Sequence, residues 1–326
     1  MKVFAYSYRP DEEIYFDTFS RNLCIELMSC KEDISMENAD LAKGCECISI
    51  ITTPVGAELL DKLYAIGVRH VSTRTIGFDH IDIEHAKKIG IHVSHVSYSP
   101  HSVADYAIMM ILMCLRKIKH IMERASVQDY SLKEIQGREL HNLTVGVVGT
   151  GKIGRTLIEH IRGFGCRILA NDLHPSSEAA QYAQYVDLDE LYQKSDVITL
   201  HAPSTEQTFH MIDKEAISKM KNNVVIINTA RGTLIDTMDL IEGIESEKIG
   251  AVAIDVVENE TAIYYTDHKY QIIANRELAI LRSFPNVIIT PHTAFYTDQA
   301  VSDMVENSLK NCAAYYKGER IPFEVV

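Results

Sequence analysis

Three absences narrow the reading before any motif is found: there is no surplus of positive charge, no long apolar run and no paired set of cysteines. With 45 acidic against 32 basic side chains the formal net charge is −13. The chain therefore offers no basic face, and no nucleic-acid partner is expected. The most apolar stretch, 107–115, falls far short of the ~18 residues of a membrane span, so no membrane partner is expected. Seven cysteines, at 24, 30, 45, 47, 114, 166 and 312, form an odd set without framework spacing. Cys45-x-Cys47 lacks the second pair that a zinc site would need, and the thiols read as reduced and mostly buried. Histidines gather at 80, 85, 92, 95 and 101, but no pair is four apart on a helical pattern and no acid joins them in register, so no metal is expected. The first residues, Met1-Lys-Val-Phe-Ala-Tyr6, enter a strand-like run without a signal-peptide layout. The expectation is a cytoplasmic protein.

At 326 residues the chain exceeds the ~250–300 at which one hydrophobic core stops growing, so two domains are expected. The stretch that organises the rest is Gly149-Thr-Gly151-Lys152-Ile153-Gly154, a G-x-G-x-x-G behind the β-branched run 144–148. A helical apolar face (Ile153, Leu157, Ile158, Ile161) follows, stopped by Gly163 and Gly165. Asp172 stands eighteen positions beyond Gly154, close to the roughly 20 expected of a ribose-binding acid. Gly149 suits the tight turn, Gly151 the approach of a pyrophosphate, and Gly154 the packing of helix on strand. This is a dinucleotide-binding unit.

Before it, strand patterns at 3–8, 47–51, 70–72 and 91–96 alternate with helical ones at 11–28, 57–66 and 81–89, as in a parallel sheet covered by helices. Ser99–Ser102 reads as a domain junction. Ser102 with Asp105 has the spacing of a capping box, opening one long helix over 103–124. Its first half is apolar on every side and must be buried all round, within the chain or against a second copy. A last helix over 297–316 is expected to return to the first domain.

After Asp172, four strand patterns end in polar residues: His201-Ala202-Pro203, Asn228-Thr229-Ala230-Arg231, Asp255-Val-Val-Glu-Asn-Glu260 and Pro291-His292-Thr293. Ligands of open α/β sheets bind at the carboxyl ends of the strands. Beside a nicotinamide, Arg231, Glu260 and His292 make a hydride-transfer kit. The histidine exchanges a proton, the carboxylate orients it, and the guanidinium grips a substrate carboxylate.

These motifs, with Arg74-Thr-Ile76-Gly77 and Tyr98-Ser-Pro100, resemble those of the D-2-hydroxyacid dehydrogenases, and within them the D-lactate dehydrogenase branch, along essentially the whole chain. The segments 72–82, 98–110 and 287–296 are similar to the D-lactate dehydrogenases of vancomycin-resistance operons. The resemblance implies an α/β protein of two doubly wound parallel-sheet domains, with a Rossmann-type NAD-binding domain (101–296) inserted in a flavodoxin-like substrate domain (1–100 and 297–326). It implies Arg231, Glu260 and His292 as the catalytic residues. It also implies that Ile76, Gly77, Tyr98, Arg231 and His292 bind a small 2-keto or 2-hydroxy acid. Gly149, Gly151, Lys152, Ile153, Gly154, Asp172, Ala202, Pro203, Thr208, Thr229, Ala230, Arg231 and Asp255 fall where the family meets NAD. The 103–124 helix falls at a homodimer interface. Pyruvate reduction to D-lactate is the expected activity. Many D-lactate enzymes carry an aromatic residue after the second strand, but this chain reads Ile51-Thr-Thr-Pro54, which leaves room for 2-ketoisocaproate or phenylpyruvate. A non-catalytic NAD(H)-sensing, corepressor-like protein is the rival reading, and the lack of low-complexity or basic extensions disfavours it.

Overall fold

The computed structural model describes residues 1–260 and 263–326. The chain packs as two compact units, Met1–Ser99 with Tyr296–Val326, and Pro100–Phe295.

In the first unit five parallel strands, β1 (Lys2–Ala5), β2 (Glu26–Ser29), β3 (Cys47–Ile50), β4 (His70–Thr73) and β5 (His92–Ser94), stand in the order 2-1-3-4-5. This is the flavodoxin-like order. β3 and β4 are buried at every position, as expected of strands covered on both faces. Helices α1 (Glu13–Asn22), α2 (Ala57–Ala65) and α3 (Ile83–Ile89) connect them. The C-terminal helix, Asp298–Lys317, packs on α1, β3 and β4, and Ser308 on it lies 2.7 Å from Ser49 and 3.0 Å from Ser72. The unit's largest buried polar group is Arg74. Its Nε donates to Glu12 at 2.9 Å, its Nη1 to Ser49, and its Nη2 to the carbonyls of Tyr6 and Ser7. Both partners of this ion pair are fully buried, so removing either one alone would strand a charge, at a cost of about 3–5 kcal/mol.

One strand here is a correction. The helix expected over 11–28 ends at Asn22, Cys24 turns the chain in the left-handed region (φ 54°), and Glu26–Ser29 pairs with β1 as an edge strand. Edge strand β2 has no buried residue, so it shows no apolar run by which a strand is recognised.

The second unit holds seven parallel strands. They are β6 (Thr144–Val148), β7 (Arg167–Asn171), β8 (Gln184–Tyr185), β9 (Val197–Leu200), β10 (Val224–Asn228), β11 (Ile249–Ile254) and β12 (Val287–Ile289), in the order 12-11-10-9-6-7-8. This is a doubly wound sheet whose strand order reverses beside β6. The long helix of the sequence reading is in fact two. α4 (His101–Leu115) ends at Arg116, Lys117 turns left-handed (φ 51°), and α5 (Ile118–Ser126) follows. Pro100, not Ser102, stands at the N-cap, where its fixed φ suits the helix start. Asp105 accepts from His160 instead of completing a capping box. α4 buries nine residues against β10, β11 and α6 (Lys152–Ile161), so the apolar half finds most of its cover within its own unit. Met109 is left 41% exposed. Helices α7 (Leu188–Lys194), α8 (Lys214–Lys219), α9 (Thr237–Glu245) and α10 (Arg276–Ser283) complete the unit. No described helix is long and apolar enough to cross a membrane.

Candidate active site

β6 runs straight into the glycine turn. Gly149 takes φ 89°, and a Cβ there would strike the backbone of His201 and Ala202 at 2.7 Å. A Cβ at Gly154 would collide with the Gly149 carbonyl, so α6 can pack on β6 only because no side chain intervenes. Gly151, the N-cap of α6, would meet nothing within 4 Å. Two glycines are thus demanded by backbone contact and the third faces open space at a helix N-terminus, the arrangement that accepts a pyrophosphate. Lys152 and Ile153 are the first residues of α6.

Asp172 stands just past β7. Its Oδ2 accepts from the Thr150 amide at 2.6 Å and from the Thr150 hydroxyl at 3.2 Å, and its Oδ1 from the His174 amide at 2.8 Å. Burial works to raise its pKa, but these donors outweigh it and hold the carboxyl below its usual range. The acid is therefore tied to the glycine turn itself, charged and fixed in place.

Beyond β9, Ala202 is buried while Pro203 is exposed, and the Pro203 carbonyl accepts the Thr208 hydroxyl at 2.6 Å. Beyond β10, Asn228 ties the next turn, accepting from the Ala230 amide at 3.0 Å and donating to the Arg231 carbonyl at 2.8 Å. The Thr229 hydroxyl within this turn is buried and has no hydrogen-bond partner among the described residues. Such an orphan is what a bound ligand would satisfy. Arg231, half-buried, donates to the Ala230 carbonyl. A Cβ on Gly232 would run into the Val257 backbone, so the arginine turn lies directly against the loop that carries Glu260.

Asp255, at the end of β11, is fully buried. Its Oδ1 accepts from the Thr290 hydroxyl at 2.5 Å and the Thr293 amide at 2.9 Å, and its Oδ2 from the Ala294 amide at 2.8 Å. The backbone of Asp255 adds a bond from the His292 amide at 2.8 Å. His292 itself is held left-handed at φ 53°. Its Nδ1 lies 2.5 Å from Glu260 Oε1, and Glu260 Oε2 accepts from the Val257 amide at 2.8 Å. The carboxylate thus fixes the ring through Nδ1, which leaves Nε2 as the nitrogen for proton exchange. The structure brings Arg231, Glu260 and His292 to neighbouring strand ends of one unit.

Ile76, Gly77 and Tyr98 belong to the other unit. The first two sit half-buried in the loop after β4, where the Thr75 hydroxyl bonds the Gly77 carbonyl at 2.6 Å.

Residues 108–294 match the family model described as D-isomer specific 2-hydroxyacid dehydrogenase, NAD binding domain. That is more than half of the sequence. The chain belongs to the D-isomer specific 2-hydroxyacid dehydrogenase family. An aromatic 2-oxoacid reductase of Clostridium sporogenes is 43% identical over 314 residues, covering 95% of each chain. A D-specific alpha-keto acid dehydrogenase of Enterococcus faecium is 42% identical over 311 residues, again covering 95% of each. Among solved structures, a D-lactate dehydrogenase of Treponema pallidum superposes with a TM-score of 0.92 at 32% identity, covering 100% of both chains. This dehydrogenase uses NAD, and the glycine turn, Asp172 and the orphaned Thr229 hydroxyl fit that cofactor.

Sequence reasoning missed several residues around this kit. The Tyr265 hydroxyl donates to the His292 carbonyl at 2.8 Å. The neighbouring Tyr264 hydroxyl is buried without a hydrogen-bond partner among the described residues, and burial, with Glu260 and Asp255 nearby, raises its pKa. His210 lies 2.7 Å from Glu258 and 3.2 Å from Asp236, bracing the loop that carries Glu260. No spacing signal marks these contacts, since they join residues from different loops.

Asp172 generates a prediction about cofactor choice. A carboxylate held charged at this place repels a 2′-phosphate, so NADH should be preferred over NADPH by more than about tenfold in kcat/KM, equivalent to ~1.4 kcal/mol. The preference should persist as pH falls to about 5, because a depressed pKa keeps the group ionised there. Asp172→Ser should shrink it. Equal kcat/KM for the two cofactors in the unaltered protein would refute this role.

Proposed function

We propose that this dehydrogenase reduces 2-keto acids to D-2-hydroxy acids, pyruvate to D-lactate among them, with Arg231, Glu260 and His292 as its catalytic residues. The observation that carries the reading is the His292–Glu260 contact at 2.5 Å, set beside the arginine turn by the packing of Gly232 on Val257. NADH supplies the hydride when bound. His292, oriented through Nδ1, gives a proton from Nε2 to the carbonyl oxygen of the keto acid. In the reverse direction it takes that proton back from the hydroxyl. Glu260 holds the ring in place and favours its charged form. The planar guanidinium of Arg231 grips the substrate carboxylate and draws electron density from the adjacent carbonyl. Gly149, Gly151, Lys152, Ile153 and Gly154 would line the pyrophosphate, with Asp172 at the ribose. Ala202, Pro203, Thr208, Thr229, Ala230 and Asp255 would complete the cofactor's surroundings. Residues 1–100 with 297–326 would form the substrate domain, in which the 76–77 backbone and Tyr98 meet the substrate.

A second reading of the substrate has its own support. Ile51-Thr-Thr-Pro54 carries no aromatic side chain, and a relative 43% identical is named an aromatic 2-oxoacid reductase. A bulkier acid, 2-ketoisocaproate or phenylpyruvate, is therefore the alternative to pyruvate. NADH oxidation measured on all three acids separates the two, the larger kcat/KM naming the preferred side chain. Activity on none of them would favour the corepressor-like sensor.

The roles of the three residues are separable by kinetics. His292→Ala should lower kcat by about 10²–10⁴-fold, the usual worth of a positioned acid, with NADH binding nearly unchanged. Glu260→Gln should also act on kcat, because an amide holds the ring less firmly and cannot favour the imidazolium. Arg231→Lys should act mostly on substrate KM, since an ammonium cannot reproduce a two-pronged grip. Near-normal kcat in His292→Ala would reduce His292 to a turn residue.

The protein is further proposed to work as a homodimer. Exposed apolar side chains concentrate along α4, α5 and the segment after them: Met109, Met122, Val127, Tyr130 and Leu132 are each at least 41% exposed. A second copy would cover them. Light scattering at micromolar concentration should give twice the chain mass, and a stable monomer would remove this reading.

A further inference from the structure

Away from the catalytic residues, the first unit holds a buried cluster of metal-ligating side chains. In the register of its sheet Cys47 on β3 pairs with His70 on β4, so the two side chains rise side by side from the same face. The C-terminal helix crosses that face and brings Cys312 down onto them. The donor atoms of Cys47, His70 and Cys312 all lie within 4.8 Å of one another, and all three residues are fully buried.

We propose that Cys47, His70 and Cys312 form a binding site for a thiophilic divalent metal ion, of which Zn²⁺ is the physiological example. The imidazole gives the independent support. Its Nε2 is engaged with the Ser94 hydroxyl at 2.9 Å, while Nδ1 is buried and has no hydrogen-bond partner among the described residues. A ring held through one nitrogen, with the other orphaned among thiols, is the way a metal-ligating histidine is fixed by its outer partner. Ligands of zinc stand ~2.0–2.3 Å from the ion, so closing three donors around it asks for a contraction of roughly 1 Å.

Charge selects the ion. Two thiolates in a fully buried site are neutralised by a +2 cation, whereas Cu⁺ would leave a buried net negative charge. Both thiols would give up their protons as the metal enters. Binding thus releases up to two protons and strengthens with pH. Tyr315, half-buried and stacked on His70 at 5.4 Å, is the cover nearest the ring. No metal is expected from the sequence, where only Cys45-x-Cys47 and the histidines of 80–101 stand out as ligand patterns. The ligands here come from residues 47, 70 and 312, which only the fold brings together.

The test uses the reduced full chain with its three incompletely buried thiols removed (Cys24→Ser, Cys30→Ser, Cys166→Ser). Cadmium is titrated in as the spectroscopic probe, and thiolate-to-cadmium charge-transfer absorbance is read alongside the metal retained after desalting. One cadmium per chain is expected, displaced by Zn²⁺. The signal should vanish in Cys312→Ser and in His70→Asn. Ser94→Ala, outside the ligand set, should weaken affinity by about 10–100-fold, which keeps the test decisive where a ligand variant fails to fold. Zn²⁺ should also raise the unfolding midpoint, and a chelator should reverse the rise. No stoichiometric binding, or binding that survives both Cys47→Ser and Cys312→Ser, would overturn the site. Retention of Cu⁺ in preference to Zn²⁺ would overturn the divalent assignment.

Discussion

The carboxylate of Asp255 is the constraint on which the candidate active site depends. It ends β11 fully buried and takes three hydrogen bonds from the turn that follows β12. A buried charge of this kind is tolerable only when its oxygens are satisfied, and each bond to it is worth roughly 1.5–3 kcal/mol. The donors are the Thr290 hydroxyl and the amides of Thr293 and Ala294. They bracket His292, whose left-handed backbone would otherwise be costly for a residue with a side chain. The strain at the histidine is thus offset by the acid at the end of the neighbouring strand.

The same pattern recurs along that edge of the sheet. Asn228 closes the turn that presents Arg231, as Asp172 closes the glycine turn after β6. Each of these short polar side chains closes a backbone turn, its own or a neighbouring strand's, and thereby holds a second group in place. Parallel strands make this economical, because every carboxyl end faces the same way and four loops contribute to one region. Gly154 and Gly232 bring backbones into contact where a methyl group would part them. Precision here comes from rigid turns, which suits a reaction whose proton donor must stand in register with the substrate's carbonyl.

Much of this was legible in the sequence, and the reasons are local. The glycine spacing, the acid eighteen positions on and the polar strand ends each declare themselves within a few residues. Strand β2 did not, because an edge strand with no buried position has no apolar signature. The break at Lys117 did not either, since its left-handed turn carries no glycine to mark it. The two-residue strand β8 is too brief for a periodic pattern. Asp255 was read by resemblance as a cofactor contact, and the further bonding of its carboxylate to the histidine turn had no signal in the sequence. That commitment and the Cys47–His70–Cys312 cluster depend on pairings 23 or more positions apart that join separate elements, which no spacing rule predicts.

The claim that Asp255 builds the acid/base site is tested most directly by Asp255→Asn, measuring kcat for keto-acid reduction and NADH affinity on the same preparation. An amide cannot accept at both ends, so one of its N–H groups would face the donors of the 290–294 turn and loosen His292. The account predicts a fall in kcat of about 10²-fold or more, with NADH affinity changed by less than about threefold. The opposite result, NADH binding lost while kcat at saturating cofactor is kept, would show that the carboxylate serves the cofactor and not the histidine, and would contradict the account.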